Sequence, residues 1–144
     1  MLSQRMAIVR KCRMNGVSLS ELDVSVLALI ETERYFRRPY HLMLEILAVC
    51  IEQQSSKRTV GEAQLRVDHA ARYLRCRNVK AAFSVLRFSR AFRIARIMIR
   101  SVNPDNYDQV IAVYHGESSA SYRRVYLKNR KRIERLRSMV VGRG

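Results

Sequence analysis

The chain has 144 residues, 28 Lys and Arg against 12 Asp and Glu for a formal net charge of +16, and 48% apolar residues. That length and apolar share exclude a disordered polycation and predict one domain over 1–138 with a flexible tail at 139–144. No window approaches the ~20 apolar residues of a membrane-crossing helix, and in the opening Met1–Gly16 charge returns after Met6–Val9, too soon for a secretory h-region.

Apolar spacings of three and four throughout predict a mainly α fold. A first amphipathic segment covers 2–14 and stops at Asn15-Gly16. Ser20 caps a second helix, with Asp23 completing an S-x-x-D box, Leu22, Val26, Leu29 and Ile30 as its stripe, and an end between Glu31 and Tyr35. Pro39 in a first turn predicts a third helix over 40–52, with Leu42, Met43, Ile46, Leu47 and Cys50 inward. The polar stretch Gln53–Thr59 reads as a loop, 67–74 as a short helix, and 78–100 as a long one, apolar around most of its circumference and so placed in the middle of the domain. Asn103-Pro104-Asp105 breaks the chain, and a helix over 105–114 is ended by Gly116. The last helix starts at Ser118 or Ser119 and turns basic, with Arg123, Arg124, Lys128, Arg130, Lys131, Arg132, Arg135 and Arg137.

Three stretches carry candidate chemistry. In L-A-L-I-E-T-E-R-Y-F, 27–36, Glu31 follows an apolar helix, where partial desolvation would keep a carboxyl protonated and fit it to act as a general acid. In T-V-G-E-A-Q-L, 59–65, Gly61 permits close backbone approach and Gln64 offers an amide to a polar ligand. In V-I-A-V-Y-H-G, 110–116, Tyr114 offers a ring face and a hydroxyl ahead of Gly116. Each has a plain structural counterpart: a surface Glu at a helix end, a loop running into a helix, a core tyrosine. His41, His69 and His115 lie on separate elements, and Cys12, Cys50 and Cys76 form no C-x-x-C pair. No metal, cofactor or disulfide framework is expected, and free thiols fit synthesis in a reducing cytoplasm.

In this order the stretches resemble the lysozyme superfamily, in particular the soluble lytic transglycosylases. In that family a catalytic Glu and a small hydroxyl residue close an apolar helix, G-L-M-Q leads into a helix beginning P-x-T-A, and Y-N-x-G follows. Here the matching residues are Glu31-Thr32, then Gly61-Glu62-Ala63-Gln64 running into Val67-Asp68-His69-Ala70, then Tyr114-His115-Gly116 with Tyr122 beyond. Glu62 and Ala63 stand where Leu and Met are usual, and His115 where Asn is usual. The stretch I-E-T-E-R-Y-F-R-R-P is also similar to the I-E-D-x-x-F motif of peptidoglycan glycosyltransferases.

The resemblance spans 22–126. It implies a lysozyme-like helical domain that cleaves peptidoglycan between N-acetylmuramic acid and N-acetylglucosamine, with Glu31 as general acid and then base on the 6-hydroxyl, closing a 1,6-anhydro ring. Gln64 and Tyr114 would orient the sugars beside Gly61 and Gly116, and Thr32 would support the carboxyl. One carboxylate suffices for that reaction, whereas a retaining hydrolase needs two about 5 Å apart. Glu52 is the first candidate for the second, ahead of Glu33 and Glu62. Glu31 and Glu33 lie about 200° apart around a helix and so cannot share one cleft.

The implied partners are glycan strands at the cell wall or periplasm, reached through lysis or secretion machinery. Attraction to the anionic wall accounts for the positive charge. Two alternatives stand beside this reading: a small nucleic-acid-binding protein using the Arg123–Arg137 face with Arg93, Arg96 and Arg100, and an inactive wall-binding relative.

Overall fold

The computed structural model describes residues 19–36, 41–52, 59–61, 63–116 and 119–141. The predicted 2–14 helix, Cys12, most of the 53–59 loop, Glu62 and the last three residues of the tail lie outside them. Among the described residues the fold is mainly helical. Its elements are α1 (Glu21–Phe36), α2 (His41–Glu52), β1 (Thr59–Val60), β2 (Leu65–Arg66), α3 (Val67–Leu74), α4 (Asn78–Ser84), α5 (Phe88–Ile99), α6 (Tyr107–His115) and α7 (Ala120–Val141). They fall into two compact units, Met1–Thr32 with Met98–Gly144, and Glu33–Ile97.

In the first unit, α1 opens on a reciprocal capping box: Ser20 N–H donates to Asp23 Oδ2 at 3.3 Å, and Asp23 N–H donates to Ser20 Oγ at 3.2 Å. Every residue from Val24 to Glu33 is buried. The helix surrounded on all sides is therefore α1, not the segment 78–100. Asn106 Oδ1 accepts from Gln109 N–H at the start of α6, and Ser119 Oγ accepts from Tyr122 N–H at the start of α7.

The inward row of α7 runs Tyr122, Tyr126, Arg130, Ile133, steps of four and three that keep one face toward the core. Arg130, predicted on a solvent-facing basic surface, is only 2% exposed. It donates to Ser25 Oγ at 2.6 Å, to Glu21 Oε2 at 2.7 Å and to Tyr126 OH at 3.4 Å. Its guanidinium carbon lies 4.8 Å from the Tyr107 ring centroid. Glu134 Oε1 stands 3.1 Å from its Nε, an ion pair whose direction falls short of a hydrogen bond. Arg137 pairs with Glu21, and Arg123 with Asp108 at 2.8 Å. Three members of the expected basic face are thus engaged by carboxylates.

In the second unit, β1 and β2 pair antiparallel, Thr59 with Arg66 and Val60 with Leu65, and the ribbon feeds directly into α3. Helix α4 packs against α3 and α2. The predicted 78–100 helix is broken at Val85–Arg87, where Leu86 N–H donates to Phe83 O and Arg87 N–H to Ser84 O in tight i→i−3 turns. The buried row supplies the reason. Ala81, Ala82 and Val85 are buried before the break, and Ala91, Ile94 and Ala95 after it. At about 100° per residue a continuous helix would carry the first set about a third of a turn away from the second. The exposed Arg90, Arg93 and Arg96 then occupy one outer face of α5.

The predicted inner face of α2 is also corrected. Leu47 is 57% exposed and Cys50 is exposed, whereas Val49 is fully buried. Leu42 to Ile51 is apolar at all but one position, so periodicity alone cannot fix the helix's rotation.

Asp68, in the first turn of α3, accepts from Arg66 Nε at 3.1 Å and Nη2 at 2.6 Å, and from His69 N–H at 2.9 Å. Burial pushes this carboxyl up, but the Arg66 hydrogen bond and charge, with the His69 N–H, outweigh it and hold the group below its usual range. A depressed folded pKa gives stability that is present above the unfolded value and lost as pH falls through the folded one. Asp68→Asn is therefore expected to lower stability at neutral pH by at most about 1 kcal/mol, the pair being partly solvated, and to flatten the acid limb below about pH 4. Urea titrations of both proteins between neutral and acid pH check this.

Candidate functional site

Glu31, Thr32 and Glu33 form a sheltered polar step in α1, with relative exposures of 7%, 0% and 6%. Apolar residues Val26 to Ile30 precede them, and the helix continues to Phe36. Thr32 Oγ1 donates its one proton to Ala28 O at 2.7 Å and accepts from Asn129 Nδ2 at 3.2 Å. With that proton committed to Ala28 O, Thr32 fastens α1 to α7 through Asn129.

Tyr114 is half-buried in the last turn of α6. Gly116 caps that helix at φ +92°, its N–H donating to Ala112 O. His115 stacks on buried Tyr122 with ring centroids 4.1 Å apart and planes 19° apart. Glu31, Thr32, Tyr114 and Gly116 belong to the first unit, and Gly61, Gln64 and Glu52 to the second.

The Gly61–Gln64 turn is closed by Gln64 N–H donating to Gly61 O at 3.1 Å. Gly61 takes φ +85° and Gln64 φ +48°, a left-handed value that side chains seldom adopt. The Gln64 amide compensates by bonding locally: Nε2 donates to Glu45 Oε1 and to Gly61 O, both at 2.9 Å, and Oε1 accepts from Thr59 Oγ1 at 2.8 Å. Both amide protons are thereby spent inside the second unit, so Gln64 serves to build the turn, and one oxygen lone pair remains for a ligand. Glu52 ends α2, half-buried.

Sequence reasoning missed Glu45, whose carboxylate also accepts from Gly61 N–H at 3.4 Å. The available signal was that Glu45 is the single charged residue inside the apolar run of α2. Its bonds anchor that helix to the turn and fix the rotation that buries Val49, one turn further along.

A Cβ at Gly61 would lie 3.2 Å from the Val85 carbonyl oxygen, a backbone atom with little freedom to move. Together with the positive φ, this predicts that Gly61→Ala costs about 1–3 kcal/mol. Thermal denaturation followed by circular dichroism measures it, and an unchanged midpoint would contradict the tight approach.

Among the described residues no group of three or more His, Cys, Asp or Glu side chains is placed to hold a metal ion, and no helix is long and apolar enough to cross a membrane. No protein-family model, curated protein or solved structure matches the chain.

Proposed function

We propose that this protein cleaves the glycan strands of peptidoglycan, with Glu31 as the proton donor to the oxygen between N-acetylmuramic acid and N-acetylglucosamine. The observation that carries this reading is a glutamate residue only 7% exposed, carried on the buried stretch of α1. A group so placed is oriented by its backbone and shielded from bulk water, which strengthens its interaction with a developing charge. After the aglycone leaves, the same carboxylate takes the proton from the sugar's 6-hydroxyl, and the oxygen closes a 1,6-anhydro ring. No second carboxylate is required on this route. Tyr114 offers a sugar-stacking surface, and the net charge of +16 draws the protein to an anionic wall.

The test is digestion of purified peptidoglycan with mass analysis of the products. Anhydro ends are the expected result. Reducing ends would indicate a hydrolase and make Glu52 the next acid to replace. Intact glycan after prolonged incubation would reject catalysis and leave a wall-binding role, read by co-sedimentation with the same material.

A further inference from the structure

Unlike the arginines of α7 that acids engage, four cations of the second unit border a cavity of about 530 Å³ between the α3–α4 turn and α5. Arg75, Lys80, Arg90 and Arg93 line it, and no acidic residue does. Arg90 donates to Ser84 Oγ at 3.1 Å. Among the described residues no carboxylate pairs with any of the four. Cations gathered without counter-charge repel one another, and their mutual repulsion is relieved by a bound anion. The cavity also has an apolar wall: Ile94 is 2% exposed, and Tyr73 lies at its edge, 46% exposed. Its size falls in the range of about 300–1,000 Å³ typical of small-ligand clefts.

We propose that this cavity binds a phosphate ester carrying a ring, the chemistry of a nucleotide, whether free or as one unit of a single strand. The arginines take the phosphate oxygens as forked donors, Lys80 adds a point charge, and the ring stacks against Tyr73. Arg75 holds the position where a helix usually ends on Gly, at φ +53° and ψ +49°. A long cation there accepts backbone strain to reach the cavity. It also borders a second depression lined by Arg72, Arg77 and Asp68, whose charge Arg66 already offsets, where the next phosphate of a strand would lie. None of these residues is used in the proposed glycan chemistry, so either reading can fail alone.

The experiment uses the full chain, a fluorescein-labelled ten-nucleotide oligothymidylate read by anisotropy at fixed ionic strength, and ATP and pyrophosphate as competitors. Arg90→Ala with Arg93→Ala is expected to weaken oligonucleotide binding about tenfold or more. Lys131→Ala with Arg135→Ala, which removes the same charge from exposed sites on α7, is expected to change it less than about threefold. Tyr73→Ala is expected to abolish any preference for ATP over pyrophosphate. Arg75→Gly is expected to raise the melting temperature while weakening binding, opposite signs that a purely structural residue would not give. Displacement by ATP identifies a free nucleotide as the ligand, and displacement by unlabelled strand alone identifies a polymer; either supports the cavity. Equal losses from the two double variants, or no binding of any probe by the wild type, would overturn it.

Discussion

Glu31→Gln is expected to abolish glycan cleavage, with a loss of about 10²–10⁴-fold or more in the rate of peptidoglycan solubilisation. The substitution keeps the side chain's volume and its ability to accept hydrogen bonds and removes only the exchangeable acid proton. Because the site is 7% exposed, a larger change would confound chemistry with packing, and Gln is the replacement that separates them. Turbidity of purified wall suspensions gives the rate, and melting curves of both proteins are expected to agree to within about 1 kcal/mol.

Glu33→Gln is the matched control. Glu33 is as sheltered as Glu31, with 6% exposure, yet it lies about 200° further around α1. A catalytic role for Glu31 therefore predicts that Glu33→Gln keeps activity within about threefold of the wild type, since an acid on another face of the helix cannot serve the same cleft. Equal lysis by the wild type and Glu31→Gln would remove Glu31 from the mechanism, and loss confined to Glu33→Gln would transfer the role to Glu33.

What could be read from the sequence was mostly what is decided locally. Ser20 with Asp23, Ser119 and Gly116 mark helix ends because their side chains, or lack of one, act within a few residues of their own position. The sequence leaves Glu31 open between a sheltered carboxyl and a surface Glu at a helix end, and its 7% exposure is decided by packing. Other features set by packing were not legible either. The break at Val85–Arg87 serves a change of buried face, and the Val85 carbonyl meets Gly61 there, a contact no window around Val85 contains. Helix α2 has apolar groups on every side, and only the distant Gln64 reveals through Glu45 which side faces inward. In the site, the residue types at Thr32 and Gln64 were evident from sequence, but where their protons go was not. A hydroxyl or amide carries no sequence mark of its partner, and both were committed to neighbours in the fold.

Replacing Arg130 by Ala should lower stability by about 2–4 kcal/mol, the combined cost of an unfilled space and lost hydrogen bonds. The guanidinium side chain is 3% exposed. Its removal takes a donor from Ser25 Oγ and from Tyr126 OH, and a cation from above the Tyr107 ring. Burial pushes the Tyr126 phenol up despite its bonds to Ser25 and Arg130, so it remains neutral and needs a partner rather than a counter-ion. Neither acid is orphaned: the Glu21 side chain is 47% exposed and Arg137 still pairs with it, and the Glu134 side chain is 37% exposed to water. The penalty therefore comes from packing and polar satisfaction, not from a stranded charge, which makes Arg130→Met the informative comparison. Met restores most of the volume without the donors, so it should recover about half of the loss. Chemical denaturation at two salt concentrations completes the test: a deficit independent of salt fits this account, whereas one that vanishes at high salt would make Arg130 a screened surface ion pair.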